Sequence, residues 1–254
     1  MSMQRVFLTG ASSGIGEALA RRYAEEGAAL GLVARRGEVL EALRRSLPNP
    51  ERHRIYALDV NDHKALEAAA RDFLVQGSVD VVIANAGVSH GTLTEHAEDL
   101  PVFEQIIATN LLATVATFSP FVAAMRAQGS GRLVGIASVA GIRGLPGASA
   151  YSASKAATIS YCESLRVELY GTGVKVVTIA PGYIDTPMTQ HNAYAMPFLM
   201  PVERFARAAV AAIARGTSYA VIPWQMGVVA KLLRLLPNWL YDAAFSRAPK
   251  KARK

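Results

Sequence analysis

The chain has 254 residues, of which 51% are hydrophobic and 19% charged, a balance that supplies a large core and excludes a disordered or collagen-like polymer. A single cysteine, Cys162, excludes a disulfide framework and a cysteine-based metal site, and it fits a reducing compartment. The net charge is +7, but five of the last eight residues are basic. The body of the protein is therefore nearly neutral, which argues against nucleic-acid binding, and the five scattered histidines argue against a metal site.

The start of the chain predicts no secretory signal, because Arg5 and the short apolar run at residues 6–8 leave no room for one. Residues 106–125 carry no charge and are long enough to span a bilayer. They also contain Asn110, four hydroxyl side chains and Pro120, which favours a buried helix instead. The predicted location is the cytoplasm.

Short apolar runs rich in β-branched residues alternate with amphipathic stretches. The runs predict strands at 5–9, 29–34, 54–58, 79–84, 132–137, 174–180 and 218–222. The amphipathic stretches predict helices, among them 16–26, 37–47, 64–76 and 154–170. Strands that are apolar throughout are typical of parallel sheets, which are buried on both faces. The predicted fold class is α/β: a single doubly wound Rossmann fold with about seven parallel strands and helices on both faces, spanning residues 1–223.

Polar residues or glycines follow six of the predicted strands. They are Thr9 and Gly10, Arg35 and Arg36, Asp59 and Val60, Asn85 to Gly87, Ser138, and Pro181 with Gly182. In doubly wound sheets, ligands bind outside the carboxyl ends of the strands, near the point where the strand order reverses. We therefore expect these residues to meet at one edge of the sheet and to form the binding site there.

The loop between the first predicted strand and helix is rich in glycine. Its sequence is Thr9-Gly10-Ala11-Ser12-Ser13-Gly14-Ile15-Gly16. A pyrophosphate needs backbone N–H groups that no Cβ obstructs, and it is stabilised by the positive end of a helix dipole. The loop therefore predicts a dinucleotide site that includes Gly10, Ser12, Ser13, Gly14, Ile15 and Gly16. The alternative is a plain glycine-rich turn.

Two stretches also fit the G-x-S-x-G pattern of hydrolase nucleophile elbows, with Ser12 and Ser89 as candidate nucleophiles. No strand precedes the first stretch to supply an oxyanion-hole loop, and no helical pattern directly follows the second. Asp185 and His191 would have to complete the triad. Serine hydrolysis is therefore an alternative that lacks part of its structural context.

The end of the second strand bears on the choice of cofactor. A fold that prefers NAD places an acidic residue there for the ribose 2′-hydroxyl, whereas this chain has Ala34 followed by Arg35 and Arg36. Guanidinium groups bind a 2′-phosphate, so NADP(H) is favoured over NAD(H). The alternative is that the arginines form only the solvated start of the next helix. Asp59 is expected to contact the adenine amino group.

Tyr151 and Lys155 stand four residues apart and are expected on one helix face. A phenol has an ordinary pKa of about 10, and a neighbouring ammonium would lower it toward the working range. Ser138, at a strand end, could donate a hydrogen bond to a substrate carbonyl. Taken singly, the three also fit a half-buried tyrosine, a surface lysine and a capping serine.

Together these motifs resemble the short-chain dehydrogenase/reductase family over about residues 4–223. Its T-G-x-x-x-G-x-G motif stands at 9–16, N-A-G at 85–87 and P-G at 181–182. The family's catalytic residues fall on Asn110, Ser138, Tyr151 and Lys155. The resemblance assigns further cofactor contacts to Val60, Asn85, Ala86, Gly87, Tyr151, Lys155, Pro181, Gly182, Ile184 and Thr186.

The resemblance implies hydride transfer between NADP(H) and a carbonyl or secondary alcohol. Tyr151 would be the acid/base, Lys155 would bind the nicotinamide ribose and lower the pKa of Tyr151, and Ser138 would polarise the carbonyl. Asn110 would support a water-mediated proton path. The apolar helices around Asn110 and after Tyr151 imply a homodimer or homotetramer. A non-catalytic dinucleotide-binding scaffold or sensor is the alternative function.

Two segments are expected to surround the substrate. Residues 183–203 predict an apolar lid, and hence a lipophilic substrate, unless they form only a loop anchored to the core. The lid residues are Met188, His191, Tyr194, Met196, Phe198, Leu199 and Met200. Residues 224–254 form an amphipathic C-terminal extension with a basic tail. This extension either contacts anionic lipid on the inner membrane face or packs on the protein and ends in a disordered tail.

Overall fold

Nine strands form in the part of the chain that the computed structural model describes, which is residues 3–190, 192, 195–248, 251 and 253. They are β1 (Arg5–Thr9), β2 (Ala29–Ala34), β3 (Arg54–Ala57), β4 (Val81–Ala84), β5 (Gly131–Ile136), β6 (Val174–Pro181), β7 (Ile184–Asp185), β8 (Met200–Pro201) and β9 (Tyr219–Ile222). His191, Tyr194, Lys250 and Lys254 lie outside the described residues.

Seven of these strands form one parallel sheet in the order β3-β2-β1-β4-β5-β6-β9, and β7 pairs with β8 separately. The chain builds outward from β1 to β3 and then crosses to β4 on the other side, so the strand order reverses between β1 and β4. At such a reversal the connecting segments diverge and leave a crevice at the carboxyl ends of the strands. The predicted doubly wound α/β fold with seven parallel strands is confirmed.

Nine helices surround the sheet within the described residues. They are α1 (Gly14–Glu25), α2 (Gly37–Ser46), α3 (His63–Val75), α4 (Leu100–Ile107), α5 (Ala113–Gln128), α6 (Ser149–Glu168), α7 (Val202–Arg215), α8 (Trp224–Leu235) and α9 (Asn238–Phe245). Side chains of α1, α2 and α7 fill the core on one face of the sheet, and side chains of α3, α5 and α6 fill it on the other. Burying each large apolar side chain in these cores contributes about 1.5–3 kcal/mol.

Several element boundaries differ from the sequence-based expectation by one or two residues. The fourth strand, for example, begins at Val81, two residues later than predicted, and the carboxylate of Asp80 just before it accepts the backbone N–H of Arg5 at 2.7 Å. Helix α6 begins at Ser149, five residues earlier than predicted. The earlier start places Tyr151 within the first turn of the helix, so its side chain lies near the ends of the strands.

The apolar segment predicted as a buried helix runs through α4 and α5 with a π-helical turn at Ala108–Leu112 between them. By length and composition alone Ala97–Gln128 could cross a membrane, but Phe118 and Phe121 are fully buried against the sheet. The ring of Phe121 packs 5.0 Å from that of Phe7 on β1, measured between ring centroids. The segment therefore packs as a core helix that buries one face, while Leu112 on the other face is exposed.

The C-terminal extension packs on the domain through one side of α8 and through α9. Met226 and Ala230 are buried, and the hydroxyl of Tyr241 donates to the carbonyl of Gly144 at 2.7 Å. The guanidinium of Arg143 stacks on the Tyr241 ring, 3.9 Å from its centroid, and donates to carbonyls at the end of α8. This side of the extension therefore packs on the protein, which is one of the two arrangements expected from the sequence.

The other side of the extension is exposed. Trp224 is 70% exposed, Leu235 80% and Trp239 72%. In the tail, Lys251 and Arg253 are described, and both contact the body of the protein. The expectation of a disordered tail is therefore wrong for these two residues, because each finds a polar partner on the loop after β4.

Candidate active site

The glycine loop is locked against the end of β4. The side-chain amide of Asn85 donates to the carbonyls of Thr9 at 3.1 Å and Gly10 at 3.2 Å. Gly10 has a φ of +71°, and a Cβ on Gly16 would lie 2.1 Å from the carbonyl oxygen of Gly10. Only residues without a side chain allow this close approach. The loop leaves backbone N–H groups open to the crevice at the start of α1, so it fits a dinucleotide pyrophosphate.

A single cleft brings together most of the predicted site residues. Those that line it are Gly10, Ser12, Ser13, Gly14, Ile15, Arg35, Arg36, Asp59, Val60, Asn85, Ala86, Gly87, Ser138, Tyr151, Lys155, Pro181, Gly182, Ile184 and Thr186. Two predicted residues are not in its wall. Gly16 packs behind the loop, and Asn110 lies behind the N-A-G segment.

One end of the cleft carries two exposed arginines. The guanidinium of Arg36 donates to the backbone oxygen of Ser12 at 3.3 Å and to its hydroxyl at 3.2 Å. Arg35 precedes it in the same wall. The carboxylate of Asp59 accepts the backbone N–H of Asn61 at 2.9 Å. Positive charge therefore stands beside the glycine loop, where an adenosine ribose would lie if the pyrophosphate rests on that loop.

At the other end, Ser138 and Tyr151 face each other. Ser138 follows β5 and caps a short 3₁₀ turn by accepting the backbone N–H of Ala140 at 3.1 Å. This cap fixes the direction of the serine hydroxyl, which lies close enough to the phenol of Tyr151 to oppose the rise in its pKa. The two hydroxyl groups can therefore bind one carbonyl or alcohol oxygen together.

Lys155 lies one helical turn beyond Tyr151 and is only 4% exposed. Its ammonium donates to the carbonyl of Ile136 at 2.8 Å and lies 5.8 Å from the centre of the Tyr151 ring. Burial lowers the pKa of Lys155 to about 8, because removal from water disfavours the charged form.

The expectation that Lys155 lowers the pKa of Tyr151 is not met in this structure. Burial raises the pKa of Tyr151, and only the hydrogen bond with Ser138 opposes that rise. The physical reason is that the Lys155 ammonium is held by the carbonyl of Ile136 rather than by the phenol. Tyr151 therefore stays a protonated phenol at neutral pH.

Asn110 occupies the π-helical turn and is almost completely buried. Its side chain accepts the backbone N–H of Val88 at 2.8 Å and donates to the Val88 carbonyl at 3.0 Å. It also donates to the hydroxyl of Ser154 on α6 at 2.9 Å. Asn110 thus joins the loop after β4 to the helix that carries Tyr151, and its role in a proton path stays a prediction.

Several residues of the cleft were missed by the sequence reasoning. They are Ala34, Leu58, Asn61, Val88, Gln105, Thr109, Ile136, Ala137, Pro187, Met188 and Thr189, of which Met188 was expected only as part of the lid. The amide of Asn61 donates to the hydroxyl of Thr109 at 3.1 Å, so the turn after β3 meets the π-helical turn. In the sequence, the only feature that indicated Asn61 and Thr109 was their position close to Asp59 and Asn110, respectively.

The predicted lid is tied down at both ends. Strand β7 pairs with β8, and the hydroxyl of Thr189 donates to the carbonyl of Ile184 at 2.6 Å. Met188 lines the cleft, while Phe198 and Leu199 are exposed. The predicted lid residues His191 and Tyr194 lie outside the described part of the chain.

The hydrolase alternative finds no support in the contacts of its serines. The hydroxyl of Ser12 accepts from Arg36, and that of Ser89 accepts from the ammonium of Lys251 at 2.8 Å. Asp185 is exposed, and His191 is outside the described residues. A serine nucleophile needs a neighbouring base, whereas each of these serines is beside a cation.

The fold and the cleft together define a dinucleotide-binding oxidoreductase, and comparison with known proteins gives its family. The family model described as short chain dehydrogenase matches residues 4–196. An uncharacterized oxidoreductase from Myxococcus xanthus is 39% identical over 258 residues, which cover 97% of this chain and 98% of the relative. The chain belongs to the short-chain dehydrogenase family and is an NAD(P)-dependent oxidoreductase.

Two other relatives carry specific names. A 2-dehydro-3-deoxy-L-rhamnonate dehydrogenase (NAD(+)) from a Sphingomonas species is 37% identical over 182 residues, which cover 71% of this chain and 72% of the relative. The structure of an alcohol dehydrogenase from the archaeon Thermococcus sibiricus, complexed with 5-hydroxy-NADP, superposes with a TM-score of 0.76 at 27% identity. That match covers 87% of this chain and 96% of the archaeal chain.

Proposed function

We propose that the protein transfers a hydride between NADP(H) and a carbonyl or secondary alcohol, with Tyr151 as the acid/base. The observation that carries this proposal is that Ser138, Tyr151 and Lys155 line the same cleft as the glycine loop. A dinucleotide bound on that loop would extend toward the hydroxyl pair, and the reacting oxygen would lie against it.

The residues of the cleft suit the reductive direction. The nicotinamide, when bound, supplies the hydride to the carbonyl carbon. The Ser138 hydroxyl donates a hydrogen bond to the carbonyl oxygen and stabilises the negative charge that develops there. Tyr151, which is protonated at neutral pH, gives its proton to this oxygen. Lys155, whose ammonium holds the carbonyl of Ile136, would bind the ribose of the nicotinamide.

We propose NADP(H) as the preferred cofactor because two guanidinium groups flank the adenosine end of the cleft. Arg36 is held on Ser12 by two hydrogen bonds, which places its charge beside the loop rather than in solvent. The archaeal relative was solved with 5-hydroxy-NADP, whereas the Sphingomonas relative is named for NAD(+). Since relatives of both kinds exist, the support comes from the arginines of this chain.

The cleft wall and the outer helices suggest the substrate and the assembly. Met188 reaches the cleft from the lid, and this supports a substrate with an apolar part. On the outer helices, Leu112, directly before α5, and Val167 of α6 are exposed apolar residues. We propose that these two helices bury their outer faces in a homodimer or homotetramer.

We also propose that the protein is cytoplasmic and that the exposed side of α8 and α9 contacts an anionic membrane surface. Trp224 and Leu235 on α8 and Trp239 on α9 are exposed apolar residues. Lys231 and Arg234 are exposed on the same helix. Apolar residues beside basic ones are typical of helices that lie in the interface of anionic bilayers.

Replacement of Tyr151 by phenylalanine tests the reaction. We expect Tyr151→Phe to lower kcat/KM for ketone reduction by about 10²–10⁴-fold, because the proton donor is removed. NADPH binding, measured by fluorescence titration, should change by less than about 2-fold, since the ring remains. Tyr170→Phe, at an exposed tyrosine on the surface, is the matched control. Full turnover by Tyr151→Phe would overturn the assignment, and tight NADPH binding without turnover of any carbonyl by the wild type would favour a scaffold.

A further inference from the structure

The basic tail is docked on the loop that follows β4. Arg253 donates from Nε to Asp99 at 2.9 Å and 3.1 Å, and from Nη2 to Asp99 at 3.0 Å and Glu98 at 2.9 Å. The backbone of Arg253 also forms a parallel bridge with Gly91. A guanidinium bound to two carboxylates is a strong, directional anchor.

The receiving carboxylate is itself held in place. Asp99 is buried and also accepts the backbone N–H of Leu93 at 2.8 Å. The hydrogen bonds from Arg253 and Leu93 lower the pKa of Asp99, so it is charged at neutral pH. Within the same loop, Thr92 contacts Ser149 at the start of α6, hydroxyl to hydroxyl, at 3.0 Å. The tail, the loop and the helix that carries Tyr151 therefore form one connected unit.

This anchor places Lys251 beside the ring of Tyr151. The Lys251 ammonium lies 5.9 Å from the centre of the Tyr151 ring, about as far as the Lys155 ammonium at 5.8 Å. It donates to the hydroxyl of Ser89 at 2.8 Å. Ser89 directly follows Val88, which lines the cleft. Two cations thus flank the phenol of Tyr151. Lys155 belongs to α6, and Lys251 belongs to the tail.

Within the described residues, no side-chain carboxylate neutralises the charge of Lys251. Among residues 3–190, 192 and 195–248, no Asp or Glu carboxylate lies within 4.0 Å of its ammonium. Its hydrogen-bond acceptor is a neutral hydroxyl, and partial burial lowers its pKa. Arg253 already supplies the anchor, so the tail does not need Lys251 for docking. A half-buried cation without a counterion is costly unless a ligand brings the opposite charge.

We infer that Lys251 binds a carboxylate of the substrate, which makes the substrate a keto acid or the corresponding hydroxy acid, with Lys251 and Arg253 on one side of its site. This inference rests on the proposed function, since it concerns the same reaction at Tyr151. It adds an anionic group to the substrate expected from the apolar lid. Lys251 is then a specificity residue, and Arg253 is a positioning residue that acts through it.

Matched pairs of substrates test the inference. The full-length enzyme is assayed with NADPH and 2-, 3- and 4-oxooctanoate, each against its methyl ester. Wild type should prefer at least one acid over its ester. We expect Lys251→Gln to lower kcat/KM for that acid by at least about 10-fold, mainly through KM, and to change the ester by less than about 2-fold. Lys251→Arg should restore most of the acid activity, and Lys64→Gln, at an exposed lysine of α3, is the control.

A binding measurement separates this inference from the proposed function. Octanoate and octanamide are titrated into the enzyme–NADPH complex by calorimetry, which requires no turnover. Octanoate should bind more tightly than the amide, and Lys251→Gln or Arg253→Gln should remove the difference. If turnover fails in every assay but this difference stands, the proposed reaction is wrong and the carboxylate site is retained.

Two results would overturn the inference. One is an equal effect of Lys251→Gln on acids and esters, together with equal binding of octanoate and octanamide. The other is faster turnover of all substrates in Lys251→Gln and Arg253→Gln, which would mean that the tail obstructs the site instead of completing it.

Discussion

The ammonium of Lys155 donates a 2.8 Å hydrogen bond to the backbone carbonyl of Ile136, the last residue of β5. This contact joins α6 to the strand that leads to Ser138, so the proton donor and the carbonyl-binding hydroxyl are fixed relative to each other. The contact also removes the ammonium from water, and that burial is why the pKa of Lys155 is lowered to about 8.

The lowered pKa of Lys155 predicts the pH dependence of reduction. The ammonium loses its proton as the pH rises through about 8, while the raised pKa of Tyr151 keeps the phenol protonated there. We therefore expect kcat/KM for ketone reduction to fall above about pH 8, because the charged donor proposed for the nicotinamide ribose is lost. In Lys155→Arg the decline should move to higher pH, since a guanidinium stays charged. A decline at the same pH in both proteins would assign it to another group.

Unfolding gives a second measurement that does not depend on activity. The folded pKa of Lys155 lies below its unfolded value, so the unfolded chain binds more protons between about pH 8 and 10. The free energy of unfolding of the wild type should therefore rise relative to Lys155→Met over this interval. A constant difference between the two proteins would contradict the lowered pKa.

The cofactor preference is tested at Arg36. Loss of a charged hydrogen bond to a 2′-phosphate costs about 1.5–3 kcal/mol, so Arg36→Ala should raise KM for NADPH by about 10–100-fold. KM for NADH should change by less than about 2-fold. Arg45→Ala, at an exposed arginine at the far end of α2, is the control. Equal increases in KM for NADPH and NADH would mean that Arg36 acts only by holding the glycine loop through Ser12.

The glycine loop makes a prediction about packing. In Gly16→Ala the new Cβ would lie 2.1 Å from the carbonyl oxygen of Gly10, so the loop or α1 must shift. Overpacking of this kind costs about 1–3 kcal/mol, which lowers Tm by about 2–12 °C in a domain of this size. The affinity for NADPH should fall together with Tm. Gly144→Ala, where a Cβ meets open space, should leave both unchanged. An unaltered Tm in Gly16→Ala would show that the loop is not constrained.

The exposed side of α8 and α9 is tested with vesicles. Wild type should sediment with phosphatidylglycerol vesicles, less at high salt, and not with phosphatidylcholine vesicles. The double variant Trp224→Ser/Trp239→Ser should stay in the supernatant, whereas Val75→Ser, an exposed residue of α3, should behave as wild type. Full recovery of the wild type in the supernatant would remove the membrane proposal. If the double variant instead loses a dimer in sedimentation velocity, a second copy covers this face.

Local sequence patterns predicted most of the cleft. The glycine loop was found because few other residues permit its close approaches, and Tyr151 and Lys155 because, together with that loop, they match the motifs of the family that the chain resembles. Asn61 and Thr109 were missed, since their hydrogen bond joins residues 48 apart in the chain. The predicted effect of Lys155 on the pKa of Tyr151 was wrong, because the direction of the ammonium depends on Ile136 in another element.

The amino-acid sequence alone determined the alternation of strands and helices, the phosphate-binding loop and the identity of the reactive side chains, because these depend on periodicity and backbone sterics within a few residues. Only the tertiary structure decided where the tail goes. The bond between Arg253 and Asp99 spans 154 residues, and it exists because the packing of α8 and α9 carries the chain end back to the loop after β4. Contacts of this range are set by the whole fold, and no local pattern encodes them.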